Sequence, residues 1–433
     1  MEYFILSGVF LFVLFLLLGT GVWIGLALIG AAFAGMTLFT DRPPGDAMMT
    51  TIWTTSSSWT LAALPLFIWM GEILYRTRLS EDMFRGLSPW MVHLPGRLLH
   101  TNIVGCALFA AVSGSSAATL TTVGKMSIPE LRQRGYPEHL IVGTLAGAAT
   151  LGLMIPPSLT LIVYGVTINE SISKLFIAGI LPGLVLAAMF MGYVAVWALL
   201  HPGRLPAESS RPWAEKFREA KFLLPLAGLV LLIIISMYRG WATATEAASF
   251  GVLGALVLAA AQGSLTWQTL LNSLLGATRT SAMIALILAG AAFLSLSMGF
   301  TGLPRALAEW IASLQLSPLE LIIALTIFYI IIGCFLDGIS SVVLTMAVVE
   351  PMVRQAGIDL IWFGIFIVVV VEMAQITPPV GFNLFVLQGM TKHQILYLSR
   401  AALPMFLLMA AMVGILWIVP ELATYLPSQM SSR

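Results

Sequence analysis

The chain has 433 residues, of which 59% are hydrophobic and 9% are charged, and its formal net charge is +1. Soluble globular proteins carry roughly 25% charged residues, so a water-soluble fold of this length is excluded and the bilayer is the solvent that accepts these side chains. The near-zero net charge excludes a nucleic-acid-binding surface. The two cysteines, Cys106 and Cys334, lie in apolar stretches and are too few for a disulfide framework or a Cys-based metal cluster.

Twelve apolar runs follow one another along the chain, and a spanning helix needs about 20 such residues. The first basic residue is Arg42, so the positive n-region of a cleavable signal peptide is missing and we expect the first run to stay as a span. One long polar segment, 201–221, divides the chain into near-equal halves. The runs cover residues 4–18, 20–40, 58–75, 100–123, 138–166, 175–200, 222–238, 241–262, 278–299, 321–349, 360–390 and 395–420.

The two halves are related by an internal repeat. Moving the sequence by 222 residues places 115–182 on 337–404 with eight identical positions out of 68, and all four prolines of the second window fall on prolines of the first. Chance rarely pairs four such rare residues, so we interpret the halves as structural repeats.

Lysine and arginine predict the orientation of the repeats, because cytoplasmic loops are enriched in them. If the broken runs at about 100–131 and 320–353 are re-entrant hairpins, each repeat has about five spans plus one hairpin and the second repeat is inverted. With the 201–221 linker in the cytoplasm, 15 of the 21 basic residues lie inside and both termini lie outside. The predicted fold is therefore an all-α membrane protein with one repeat over 1–200 and an inverted one over 222–433.

Each half also contains two adjacent prolines within an apolar run. Proline lacks the amide N–H and clashes with the preceding turn, so Pro156-Pro157 and Pro378-Pro379 should unwind their spans at about 155–158 and 377–381. Non-helical backbone survives in a membrane only where it lines a cavity or is buried in protein. Freed carbonyls can bind a cation such as Na⁺, and helix N-termini can hold an anion. The alternative is a pair of ordinary kinks, which the matched register disfavours.

The two hairpin tips read Ser113-Gly114-Ser115-Ser116 and Asp337-Gly338-Ile339-Ser340. Small residues permit close helix packing, which is the alternative to a ligand role for the first tip. Asp337 lies within an apolar run, where a charge costs at least about 2.5–3.5 kcal/mol, so we interpret it as a cation ligand or a helix cap beside one. Glu372 lies one turn before the second break, and the sequence leaves open whether it carries protons, faces substrate or bonds between helices.

These motifs resemble one family. The Gly-Ser-Ser-Ala tip, the Ile-Pro-Pro-Ser and Thr-Pro-Pro-Val-Gly-Phe-Asn-Leu breaks and the Arg-Gln-Arg-Gly-Tyr loop look like the large, DctM-type membrane subunit of tripartite ATP-independent periplasmic (TRAP) transporters. The resemblance extends over essentially the whole chain, and the combined pattern is specific. It implies an elevator-type fold, with a scaffold and a moving transport part that holds both hairpins, and transport driven by a Na⁺ gradient.

The resemblance also implies binding residues. It places a first Na⁺ site at Ser115, Ser116, Pro156, Pro157 and Ser158, and a second at Asp337, Gly338, Thr377, Pro378 and Gly381. It places substrate contacts at Ser113, Ser158, Ser340, Pro379 and Asn383. Because Ser115 of the first tip aligns with Asp337 of the second, the two cation sites should not be equivalent.

The implied partners follow from the family. A periplasmic substrate-binding protein would deliver a small organic acid, such as a C4-dicarboxylate or sialic acid. A separate small membrane subunit of about four spanning helices would brace the scaffold. The location would be the bacterial inner membrane, with both termini periplasmic. Na⁺ would be the coupling ion, and no other cofactor and no ATPase are expected.

Other functions remain as alternatives. A single-component ion-coupled carrier would have similar hairpins but need no binding protein. A polytopic membrane enzyme would need a nucleophile, base or paired acids at depth, whereas the five histidines fall in loops or at span ends and neither HExxH nor GxSxG occurs. A primary pump is disfavoured because the sequence contains no phosphate-loop motif. A channel is disfavoured because inverted repeats fit an alternating-access mechanism better.

Overall fold

The structure is a computed structural model that describes residues 2–207, 212–304 and 316–430, together with Ala306, Glu309 and Ser313. Three of the basic residues on which the predicted orientation depends lie outside the described residues: Arg211, Arg305 and Arg433. Every regular element in the described part is a helix, which confirms the all-helical prediction. The inverted relation of the two halves stays a prediction.

The first half contains eleven α-helices and a 3-10 turn in the described part of the chain. They are α1 (Glu2–Gly19), α2 (Ile24–Phe39), α3 (Pro44–Ser56), the 3-10 turn Trp59–Ala62, α4 (Ala63–Tyr75), α5 (Leu79–Met91), α6 (Leu99–Ser113), α7 (Ser116–Gln133), α8 (Glu138–Ala149), α9 (Leu151–Met154), α10 (Leu159–Ile168) and α11 (Ile172–Leu200).

The linker and the second half supply the remaining described helices. They are α12 (Trp213–Ala220), α13 (Leu224–Tyr238), α14 (Ala244–Ala261), α15 (Trp267–Thr301), α16 (Pro318–Gly333), α17 (Gly338–Gln355), α18 (Leu360–Gln375), α19 (Phe382–Thr391), α20 (Ile395–Ile418) and α21 (Glu421–Ser428). Two of them begin with a capping box, in which Thr243 or Ser317 exchanges hydrogen bonds with the glutamate three residues later.

Five segments among the described residues are long and apolar enough to cross a bilayer, and two bent helix pairs raise the number to seven. The five are the α8–α10 segment, α11, α14, α15 and α20; the pairs are α3 with α4 and α12 with α13. Shorter apolar helices, α1, α2, α6, α16 and α18, accompany them. The chain is therefore a multi-pass membrane protein.

The polar or amphipathic helices α3, α5, α12 and α21 were not predicted from the apolar runs. The linker helix α12 packs on α5, where Glu219 accepts from Arg85 Nη2 at 3.0 Å. On the same helix, the buried Lys216 ammonium contacts His93 Nε2. The polar linker is thus partly ordered against the first half, because its buried charged groups need partners.

Both predicted hairpin tips lie at short helix breaks. At the first, Gly114 adopts a left-handed conformation with φ 57°, and its N–H donates to Ala110 O to end α6. Ser115 then caps α7 by accepting from Ala118 N at 3.4 Å. At the second, Asp337 caps α17 by accepting from the backbone N–H groups that follow it.

Both Pro-Pro pairs lie where a helix is interrupted. The first interruption separates α9 from α10, and Ser158 caps α10 by accepting from Leu161 N at 3.3 Å. The second separates α18 from α19 and ends at Gly381, whose φ is 54°. A Cβ on Gly381 would lie 2.8 Å from Thr377 O, so this turn requires glycine.

The two halves pack tightly against each other. A Cβ on Gly143 of α8 would lie 2.2 Å from Ala401 O of α20, so these helices approach backbone to backbone. In α18 every residue except Ile361 is buried. Helix α18, which carries Glu372, therefore lies inside the protein and not against lipid.

Candidate functional site

A cavity of about 630 Å³ lies where the two hairpin tips and the two broken spans meet. Residues of both halves form its walls. The first tip contributes residues 113–118, the second contributes Asp337, Gly338 and Ile339, and the broken spans contribute Leu153, Leu159, Glu372, Gln375, Phe382 and Asn383.

Four helices begin at this cavity. Their first residues, which all line it, are Ser116 of α7, Leu159 of α10, Gly338 of α17 and Phe382 of α19. A helix N-terminus carries roughly half a positive charge. Together they contribute positive potential without lysine or arginine, which suits an anionic group. The N-terminus of α17 is already compensated by the Asp337 carboxylate that caps it.

The charged side chains that line the cavity in the described part of the chain are all acidic: Glu72, Asp337 and Glu372. Glu72 accepts from Arg76 Nη2 at 2.9 Å and is thereby neutralised. For the other two carboxylates, the described residues supply hydroxyl or backbone N–H donors but no basic side chain. The cavity thus combines carboxylates, which attract cations, with helix N-termini, which attract anions.

Ser116 connects the first hairpin with the second half of the chain. Its hydroxyl donates to Glu372 Oε2 at 3.1 Å and accepts from Asn383 Nδ2 at 2.5 Å. All three residues are buried, and Glu372 is only 1% exposed. Glu372 Oε1 and Asn383 Oδ1 have no hydrogen-bond partner among the described residues. Because hard cations prefer oxygen ligands, two such buried oxygens beside a hydroxyl are chemically suited to a hard cation.

The second tip makes the reciprocal contact with the first half. A Cβ on Gly338 would lie 3.0 Å from Leu153 Cδ1 and 3.6 Å from Thr160 Oγ1. The tip is also tied to its own broken span, because Gln375 Nε2 donates to Leu336 O at 3.3 Å. Each tip therefore contacts a broken span of the other half. A movement of one tip would also displace the part of the cavity wall that it contacts in the other half.

Asp337 is exposed at the cavity, where its Oδ2 accepts from Ile339 N at 3.2 Å and from Ser340 N at 3.4 Å. The cap role proposed from the sequence is present in the structure. Its carboxylate also faces the cavity, so the cap leaves it accessible to an ion.

Six of the predicted site residues line the cavity and eight do not. Those that line it are Ser113, Ser115, Ser116, Asp337, Gly338 and Asn383. Those outside the lining are Pro156, Pro157, Ser158, Ser340, Thr377, Pro378, Pro379 and Gly381.

Several of the residues outside the lining support the tips instead. Leu159 N donates to Gly114 O at 3.4 Å, and a Cβ on Gly114 would lie 3.0 Å from Pro157 O. Cys334 Sγ contacts Pro378 O at 3.6 Å. Thr377 Oγ1 donates to Met373 O at 2.7 Å, so its hydroxyl is engaged by its own helix. Ser340 is buried and its Oγ has no partner among the described residues.

The sequence interpretation missed Gln375 and Thr119. Gln375 lines the cavity one turn after Glu372, and Thr119 Oγ1 lies 2.7 Å from Ser113 Oγ. The spacing of Glu372 and Gln375 is a usable signal, because residues three apart on a helix share a face.

Replacing Gly152 of α9 with alanine should displace the backbone of the first tip, which packs against it. A Cβ there would lie 2.9 Å from both Ser115 O and Thr119 Oγ1, so the tip backbone must move. We expect several-fold lower uptake and about 1–3 kcal/mol lower stability, measured in proteoliposomes and by thermal unfolding. In the matched variant Gly192→Ala the new Cβ meets nothing within 4 Å, so uptake should be unchanged. Equal losses in both variants would show that the effect does not come from displacement of the first tip.

The arrangement of helices matches that of a known transporter. The crystal structure of the Alcanivorax borkumensis YdaH transporter superposes with a TM-score of 0.64, over 87% of this chain and 89% of that chain, at 14% sequence identity. At this identity the likeness shows the fold alone. The chain therefore has the fold of a membrane transporter.

Sequence comparisons give the family. The family model for the tripartite ATP-independent periplasmic transporter, DctM component, matches residues 11–422. The C4-dicarboxylate TRAP transporter large permease protein DctM of Pseudomonas aeruginosa is 32% identical over 86% of this chain and 87% of its own. The protein of the same name from Rhodobacter capsulatus is 32% identical over 94% and 98%. The chain belongs to the DctM family of TRAP transporter permeases, which confirms the resemblance; this is a family of transporter subunits and not of enzymes.

Proposed function

We propose that this chain is the large permease subunit of a Na⁺-coupled secondary transporter that imports a small organic acid across the bacterial inner membrane. The observation that carries the proposal is the cavity between the two tips, where acidic side chains and four helix N-termini face one space. A solute anion and a coupling cation can stabilise each other there. The cation compensates the carboxylates that would repel the anion, and the anion compensates the helix N-termini that would repel the cation.

The cations would bind at the helix breaks. Na⁺ at the first tip would use Ser116 with the Glu372 and Asn383 oxygens, whereas Na⁺ at the second would use the Asp337 carboxylate. The first differs from the predicted ligand set, since the carboxylate comes from the opposite half. Backbone carbonyls of the Pro-Pro turns remain proposed ligands, as the sequence predicts.

Alternating access would follow an elevator mechanism. The tips and broken spans share direct contacts through Ser116, Gly338 and Gln375. We propose that they move as one transport part and carry solute and cations together against a scaffold. Binding both charges would remove uncompensated charge from the cavity before it crosses the membrane, and this supplies the coupling.

The solute is proposed as a carboxylate of small size. Two relatives named above carry C4-dicarboxylate in their names, others are named for sialic acid or for ectoine and 5-hydroxyectoine, and all are similarly distant from this chain. The helix N-termini recognise an anionic group without selecting among these acids. We propose that a periplasmic binding protein selects and delivers the solute, that a separate small membrane subunit braces the scaffold, and that both termini are periplasmic.

Reconstitution tests this proposal. The chain and its small membrane subunit are placed in proteoliposomes, with the binding protein and an inward Na⁺ gradient each present or absent, and uptake of labelled organic acids is measured. We expect uptake only when both are present. Uptake without the binding protein would indicate a single-component carrier, and uptake without the Na⁺ gradient would contradict the coupling ion.

A further inference from the structure

A second cavity, of about 260 Å³, lies away from the candidate transport site, between α8, α11 and α20. His139 is the second residue of α8, Arg400 is the sixth of α20, and Tyr193 lies two turns before the end of α11. At 1.5 Å rise per residue these groups lie within roughly 10 Å of the helix ends. That depth corresponds to the headgroup region of a bilayer and not to its centre.

The polar lining of this second cavity is basic or neutral within the described part of the chain. Arg400, His139, Tyr193 and Tyr397 line it, and no carboxylate does. Arg204 lies close enough to His139 for an electrostatic interaction. Glu138, the acid next to His139 in the chain, already accepts from Arg132 Nε at 2.9 Å and is paired with His393 at 3.0 Å.

The Arg400 guanidinium is exposed and makes no ion pair or hydrogen bond with the described residues. The hydroxyls of Tyr193 and Tyr397 are equally without a hydrogen-bond partner there. A guanidinium and two hydroxyl donors that face one cavity match a phosphate, which accepts several hydrogen bonds at once.

The remaining wall is apolar apart from Thr144, whose hydroxyl already donates to Leu140 O at 2.6 Å, and it continues onto the lipid-facing surface. Gly143, Ala401, Pro404 and Met405 line it. Next to it on α20, Leu403 and Leu407 are 51% and 58% exposed. A ligand with a phosphate at one end and hydrocarbon at the other matches a cavity that is polar at one end and apolar at the other. A free phosphate would leave the apolar wall without a partner.

We propose that this second cavity binds an anionic phospholipid, with its phosphate at Arg400 and an acyl chain along α20. Basic pockets between spanning helices on the cytoplasmic side are suited to anionic headgroups, and the positive-inside orientation predicted from the sequence puts this end of the helices in the cytoplasm. The lipid would lie beside the Gly143–Ala401 contact and would strengthen the packing of α8 from the first half on α20 from the second.

Lipid retention tests this directly and requires no transport. The purified chain is exchanged into vesicles of phosphatidylcholine containing a minor fraction of phosphatidylglycerol, re-extracted, and its bound phosphatidylglycerol is counted by native mass spectrometry. We expect Arg400→Ala to retain about fivefold less, the effect of removing one basic group near a charged membrane surface. Tyr397→Phe, which removes only a hydroxyl, should lose less.

Lys125→Ala is the matched control, because it removes one exposed positive charge on the same predicted side without touching this cavity. Its retention should equal that of the unchanged chain. Equal retention by Arg400→Ala and the unchanged chain, or equal losses in Arg400→Ala and Lys125→Ala, would overturn the site in favour of unspecific surface attraction. Retention of phosphatidylcholine in the same amount as phosphatidylglycerol would overturn its preference for an anionic headgroup.

Discussion

Replacing Asp337 with asparagine should lower Na⁺-driven uptake by roughly tenfold or more, the loss expected when a charged ligand becomes neutral. The effect of losing the charge can be separated from the effect of losing the helix cap. Asparagine caps helices about as well as aspartate does, so Ile339 N and Ser340 N keep their acceptor. The variant therefore removes the negative charge that faces the cavity and leaves the tip folded. Initial uptake rates against Na⁺ concentration, in proteoliposomes, measure the effect.

Asp359→Asn is the matched control for this variant. Asp359 caps α18 by accepting from Trp362 N at 2.8 Å, and it does not line the cavity. The same chemical change at Asp359 should leave the Na⁺ dependence of uptake unchanged. Asp337→Ala, which removes the cap as well, should in addition lower the unfolding temperature. An unchanged Na⁺ dependence in Asp337→Asn would remove this carboxylate from the cation site.

The positions of the tips and breaks could be predicted from the sequence because local chemistry decides them. Gly114 ends α6 since only glycine readily adopts its positive φ, and two adjacent prolines cannot continue a helix. The repeat predicted from the sequence puts both kinds of break at matched positions of the two halves. Short-range signals of this kind identify where a membrane helix stops without any knowledge of its neighbours.

The pairing between the halves could not be predicted in the same way. Ser116 contacts Glu372 and Asn383 across 256 and 267 residues, and a single sequence records no such distance. The predicted ligand sets took each tip with the Pro-Pro turn of its own half. In the structure, Ser116 reaches a carboxylate and an amide of the opposite half, and the prolines themselves lie outside the cavity lining.

Amphipathic and polar helices were missed for a related reason. Helices α3, α5 and α12 have too few apolar residues to be recognised as spans, and α12 has partners on α5 and just beyond its end. Glu219 and Lys216 of α12 are buried, and they contact Arg85 and His93. Tertiary contacts of this kind override the local signal of a polar linker.

Replacing Glu372 with glutamine should lower the rate of Na⁺-driven uptake by roughly tenfold or more, without lowering the stability of the protein. Glutamine has nearly the same volume and its carbonyl can still accept from Ser116 Oγ, so the contact between the halves is kept. Only the ability to carry a negative charge is lost, and ionising a buried carboxyl group that has no basic partner is costly. The unfolding temperature should therefore stay constant or rise. Uptake in proteoliposomes and thermal unfolding of the purified protein measure the two effects.

The opposite pattern would assign Glu372 a structural role. If uptake persisted while the unfolding temperature fell, the carboxylate would serve only to hold the first tip against α18. Glu350→Gln is the control: Glu350 is paired with Arg354 on α17 and does not line the cavity, so its neutralisation should leave uptake unchanged. Loss of uptake at Glu372 alone, with stability retained, would show that a charge contributed by the second half is needed at a tip contributed by the first, which couples the two halves through the ion they share.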